Sequence, residues 1–203
     1  MKHLFLSIIL ELALLNVFAE EFDLEDLDSY GVDINGEFFM TGARFEGGIL
    51  LNNEDYYENF IEQTRSDRVK VRGLIKAASE HVGRKADILV IAEYTRQDKL
   101  DDPSFRPISY MLGNKGAILR WDRTVVGLEA FKTNITLKES QLVEIYTGKF
   151  DFNGLLDIYF GYRLMNNEKD SGGEEGETEL HNRDGTILAS DEPLRTLITE
   201  EEE

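Results

Sequence analysis

The chain has 203 residues, no cysteine and a formal net charge of −18. Its length suits one domain with a core of its own, and the lack of cysteine excludes disulfides, thiolate metal sites and cysteine nucleophiles. The acidity lies in the flanks: residues 20–37 carry eight acids and no base, residues 170–203 twelve acids and two bases, and residues 38–169 are balanced, which leaves no basic footprint for nucleic acid or for docking on anionic lipid.

Residues 1–19, "MKHLFLSIILELALLNVFA", have a basic start at Lys2, an apolar stretch interrupted by Glu11, and a small-x-Ala pattern at Val17-Phe18-Ala19. That is the layout of a secretory signal peptide. The stretch is too short for a spanning helix. The expectation is export to the periplasm, the cell surface or the medium, with no membrane insertion once the leader is removed. Residues 20–37 read as an acidic, solvated arm. A single domain is then expected over 38–199, with an acidic loop inserted at 166–182 and an acidic tail at 200–203. Removing residues 20–37 is accordingly expected to leave the melting temperature nearly unchanged.

From Phe38 onward the apolar period is two. "ARFEGGILL" alternates Phe45 and Ile49 with Arg44 and Glu46, and its Gly47-Gly48 pair suggests a bulge. "YENFIEQ" fits a strand better than the competing helix. "RVKVRGLI" sets Val69 and Val71 against Arg68, Lys70 and Arg72, a strand with one wet face. Gly83 marks a turn that also holds His81. "DILVIAEYT" is unbroken from Ile88 to Ala92, as in a central strand covered on both sides. Asn114 and Gly116 suit a hairpin. "LVEIY" is β-branched and aromatic.

"FDFNGLLDIYFGYRL" raises two readings. Asp151, Asn153 and Gly154 match part of a calcium loop, with Asp157 a further carboxylate, but Lys149 and Phe160 stand where the first and last ligands belong. A plain Asn-Gly turn fits better. Beyond it Leu156, Ile158, Phe160, Tyr162 and Leu164 share one face and Asp157, Tyr159, Gly161 and Arg163 the other, which reads as a core strand. Gly161 on the mixed face admits a neighbouring ring or marks a bulge. Asp184-Gly185 in "NRDGTI" is a hairpin signal.

Few residues point to chemistry. Trp121, the only tryptophan, is a core-edge residue or, with Tyr159, an aromatic platform for a sugar. His81 and His181 are too far apart in sequence to suggest a shared zinc. No Gly-x-Ser-x-Gly, phosphate-cradling glycine loop or His-Glu-x-x-His occurs, so no catalytic residue and no cofactor are assigned. A hydrolytic carboxylate pair is the remaining enzymatic alternative.

His81-Val82-Gly83, Ala86-Asp87-Ile88, Trp121-Asp122, Tyr146-Thr147-Gly148-Lys149-Phe150, Phe160 to Leu164 and the "DGT" at 184–186 occur in that order. Over residues 43–190 this succession resembles a β-rich module of secreted and surface proteins of gammaproteobacteria. The resemblance implies export and a β-sandwich, and it carries no catalytic residue. The acidic insertion at 166–182 departs from its short hairpin. The chain is thus expected to be all-β, a two-sheet immunoglobulin-like β-sandwich, with a small open β-barrel as the alternative. The expected role is a non-catalytic interaction module with an unidentified protein or glycan partner. A carbohydrate- or calcium-binding accessory domain is the alternative, its ligands drawn from Trp121 and Tyr159 or from Asp151, Asn153 and Asp157.

Overall fold

A computed structural model of the chain describes residues 24–33, 37–165 and 183–200. It is all-β, with two open sheets packed face to face. The smaller sheet is antiparallel and runs β1 (Glu25–Leu27), β4 (Arg44–Leu51), β6 (Val69–Lys76), β11 (Ser140–Gly148). The larger sheet is organised by two twelve-residue strands, β7 (Lys85–Arg96) and β12 (Gly154–Met165), paired along their whole length. Each changes partner midway on its other side. β12 pairs β14 (Leu194–Thr199) through Gly154 to Ile158 and β13 (Arg183–Ser190) from Gly161 on. At the changeover the Phe160 N–H donates to the buried Ser190 Oγ (3.4 Å). β7 pairs β10 (Lys132–Thr136) at its start and β8 (Ile108–Leu112) at its end. β9 (Ile118–Arg120) extends β8, β5 (Phe60–Thr64) runs parallel to β14, and β2 (Ser29–Val32) followed by β3 (Phe38–Phe39) extends β13. The sheets do not close, so the architecture is the sandwich and not the barrel.

Alternation places the core as the sequence indicates. Leu156, Ile158, Phe160, Tyr162 and Leu164 are all buried against Phe45, Ile49, Val69, Val71, Ile75 and Val143 of the smaller sheet. β7 is covered on both faces: Ile88, Val90 and Ala92 face that core, whereas Leu89 and Ile91 belong to a second cluster outside the larger sheet. The segment 121–131 supplies its cover through Trp121, Val125, Leu128 and Ala130. A buried ion pair ties this cover down. Arg163 (2% exposed) reaches Asp87 (1%) at 3.3 Å and the Leu128 carbonyl at 3.2 Å, while Asp87 also accepts the Asn134 N–H (3.1 Å).

Four local expectations are corrected. Gly47 and Gly48 form no bulge, for β4 pairs β6 without a break from Arg44 to Leu51. Gly47 lies directly opposite Gly73, and the Phe160 ring packs over both. Gly161 admits no ring and marks no bulge; the β13 backbone at Leu188 and Ala189 occupies the space a side chain would take. Asp184-Gly185 makes no hairpin turn: it lies within β13, which meets β12 again with Arg183 opposite Met165, across a register shift between Ile187 and Arg183. Lastly, the arm expected over 20–37 contributes a strand to each sheet. Glu25 and Asp26 face solvent while Leu27 (5% exposed) enters the core, and pairing with β4 and β13 orders the segment despite its acidity. The acidic loop expected at 166–182, the tail at 200–203 except Glu200, the leader and His181 lie outside the described residues.

Two outcomes follow for stability. A Cβ at Gly73 would stand 2.5 Å from the Phe160 ring, whereas one at Gly42 would meet only the Ala78 Cβ at 3.7 Å. Gly73→Ala is expected to lose about 1–3 kcal/mol in urea denaturation, with Gly42→Ala within about 0.5 kcal/mol of wild type. A chain starting at Glu37 is expected to melt about 5 °C or more below one starting at Leu24, since Leu27 alone contributes about 1.5–3 kcal/mol. Equal melting temperatures would restore the solvated-arm reading.

Candidate site: an apolar recess beside the smaller sheet

The two sheets differ in width, and the difference creates a site. The smaller sheet ends at β11, but the larger continues through β8 and β9. Tyr110 and Leu112 of β8 and Ile118 of β9 lie on its inner face, in register with Ala92 and Ile158. Among the described residues no strand of the smaller sheet lies opposite them. The result is a recess of about 600 Å³, within the range of roughly 300–1,000 Å³ usual for small-molecule sites. Ala92, Ile145, Phe150, Leu156 and Ile158 are buried and make its floor, while Gly116, Ile118 (73% exposed), Lys149 and Asp151 stand in solvent at its mouth.

Local sequence explains the walls. β11 carries a register shift against β6 between Glu144 and Tyr146, and both Ile145 and Tyr146 consequently line the recess. After β11 the chain crosses as "KFDFN" and re-enters the larger sheet at Gly154, whose φ of 135° favours glycine. A side chain at Gly154 would strike the Thr95 carbonyl, so the turn lies close on β7. Tyr94, Phe152, Phe150 and Tyr146 then form a continuous rank of rings with successive centroids 4.9, 5.5 and 4.8 Å apart. The two tyrosine hydroxyls donate to backbone carbonyls, Tyr94 to Asn153 and Tyr146 to Lys149, each at 2.6 Å. The rank therefore offers the recess ring surface rather than hydroxyl groups. At the far side of the mouth the Arg120 guanidinium stands 6.0 Å from the centre of the Tyr110 ring.

The residues singled out by sequence are not brought together. Trp121 lies in the second cluster outside the larger sheet, and its indole N–H donates to the Thr124 carbonyl (2.9 Å). Tyr159 is on that outer face too, half-buried, its phenol pushed up to about 12 by burial and then by the Asp157 carboxylate. Asp157 itself binds Arg195 through both oxygens (2.6 and 3.1 Å). Asn153 donates its amide to Glu200 (2.9 Å), while Asp151 stands exposed at the recess mouth. Among the described residues no three His, Asp or Glu side chains converge as metal ligands would. His81 meets the buried Tyr162 hydroxyl through Nδ1 at 2.8 Å. Sequence reading passed over Tyr94, Tyr110, Phe150 and Phe152. The available signal was the aromatic density of "YTGKFDF", which ends beside a carboxylate-glycine pattern and drew attention to metal instead.

Compared with protein-family models, curated proteins and solved structures, the chain matches none.

The raised phenols give a pH test. Tyr159 and Tyr162 are both pushed up to about 12, chiefly by burial, against an ordinary value of about 10. Folding keeps them protonated, so their contribution is complete below pH ~10 and is lost as pH rises through about 12. Stability is expected to fall across that window, with Tyr159 and Tyr162 among the phenols that ionise late by near-ultraviolet absorbance, beside Tyr30, Tyr94 and Tyr146, which burial also raises. Tyr159→Phe and Tyr162→Phe should each remove one late phenol. Titration of all the phenols near their ordinary value in folded protein would contradict the assignment.

Proposed function

We propose that the chain is a non-catalytic binding module of an exported protein, and that the recess beside β11 holds the apolar part of its ligand. The observation that carries this is a space of about 600 Å³ whose floor is wholly apolar and whose aromatic wall is already assembled. Unfilled apolar volume of this size forgoes dispersion contacts that a filled core would make, and a ligand recovers them. Rings locked against each other lose little freedom when something binds, which favours affinity. Export rests on the leader pattern of residues 1–19 and on the likeness of the strand motifs to a secreted module. The non-catalytic reading is supported by the commitment of Asp157 to Arg195, of Glu93 to Arg123 (2.9 Å) and of Asp87 to Arg163. These carboxylates hold the outer face together. Trp121 and Tyr159, on which a glycan platform would rest, belong to that outer face and not to the recess.

An environment-sensitive apolar dye is expected to bind purified protein with one site per chain. Ala92→Phe, which puts a ring onto the recess floor, should weaken it by about tenfold or more. Ile118→Glu, at an exposed position, should weaken it without any threat to the fold. Dye binding unaffected by both substitutions would refute the site. A turnover activity abolished by a point mutation would refute the non-catalytic role, and a response to Ca²⁺ or a glycan panel with none to the dye would favour the accessory-domain alternative.

A further inference from the structure

The order of residues from floor to mouth gives the recess a polarity axis. Its deep end is Ala92, Leu156, Ile158 and Ile145, with the hydroxyls of Tyr94 and Tyr146 turned to backbone carbonyls. A ligand polar at both ends would leave one of them unpaired there, at a cost of about 1–3 kcal/mol. A body with a single polar end is matched instead, its tail inward and its head in water.

The charges at the mouth select the sign of that head. Lys149 lines it directly. Arg68 lies close enough to Tyr146 to act on its phenol, and Arg120 covers the Tyr110 ring on the opposite rim. Against these stand Asp151, and Asp67, whose carboxylate already accepts from the Asn52 amide (2.6 Å) and from the Thr64 N–H and hydroxyl (2.8 and 2.9 Å). Asp67 stays ionised and acts on Lys149 itself, so the rim carries three cations against two carboxylates, an excess of one in a chain of net charge −18.

An added peptide strand fits less well, for it would have to pair with the outer edge of β11, and the bulge between Glu144 and Tyr146 breaks the even ladder that such pairing requires.

We propose that the recess binds a single-chain amphiphile, its hydrocarbon tail on the Ala92–Leu156–Ile158 floor and its anionic head at Lys149. This rests on the recess being the ligand site. Lauric acid and lauryl alcohol share a tail and differ in head charge, so together they separate the two parts of the assignment. Both are expected to displace the apolar dye, the acid more tightly. Lys149→Glu, an exposed substitution that leaves the backbone bond from Tyr146 in place, should weaken lauric acid by about tenfold and change lauryl alcohol by less than about twofold. Ala92→Phe should weaken both ligands alike. Dye binding without displacement by lauric acid would overturn this inference and leave the recess as the site, and so would tighter binding of pyrene or of an apolar peptide. Equal effects of Lys149→Glu on acid and alcohol would overturn the placement of the head. Failure of the dye itself to bind would overturn the underlying reading.

Discussion

The fold depends on one contact, the Phe160 ring seated on Gly47 and Gly73. These glycines face each other in adjacent strands of the smaller sheet, so their missing side chains open a flat patch at the centre of the sandwich. Phe160 descends into it from the middle of β12, with the Phe45 ring edge-on at 5.8 Å and Leu194 beside Gly47. Any larger residue at either glycine would push the sheets apart at their midpoint. Because interiors pack to near-crystalline density, such a displacement is not absorbed locally. The same contact sits where β12 exchanges β14 for β13, so it fixes at one point the spacing of the sheets and the division of the larger one into two halves.

Unequal width follows from that arrangement. With β12 and β7 held at the centre, the larger sheet grows outward through β8 and β9, whereas the smaller stops at β11. The outer face of the overhang is covered by the 121–131 segment and anchored by the buried Arg163–Asp87 pair. Its inner face is covered only in part, by the aromatic crossing from Tyr146 to Phe152. A buried ion pair is weak evidence of net stability, but removing one partner strands the other and is strongly unfavourable. Through Arg163 and the Leu128 carbonyl the pair ties the cover to β7 and β12.

What the sequence made legible was what neighbouring residues decide. The face of each side chain in β6 and β12 follows from strand alternation alone, and the burial of Val69, Val71, Ile158 and Tyr162 agrees with it. Pairing is non-local, and the misreadings are of that kind. Gly47-Gly48 resembled a bulge because the ring that needs Gly47 lies far along the chain in the other sheet. Asp184-Gly185 resembled a turn because nothing local reveals that β13 continues to Arg183. Residues 25–32 resembled part of an acidic arm because strands of three and four residues gain their order from β4 and β13, not from their own propensity. The recess was illegible for the same reason. Its aromatics were visible one by one, but a cavity created by the difference between two sheet widths requires knowing which strand joins which sheet.

The placement of charge bears on how a ligand with an anionic head would approach. A net −18 repels anions at long range, but the excess lies in segments 20–37 and 170–203, and the body between is balanced. At physiological ionic strength screening acts over about 8 Å, so a head arriving at the mouth responds mainly to the charges beside it, Lys149, Arg120 and Arg68 against Asp151 and Asp67. The apolar floor sharpens this local field, since charges beside a low-dielectric wall interact more strongly than in open water. The net negative charge then slows encounter, which makes salt a lever on the association rate. Raising ionic strength weakens this net repulsion and the rim attraction together. The first operates over the longer distance and is screened first, so association speeds up before affinity falls.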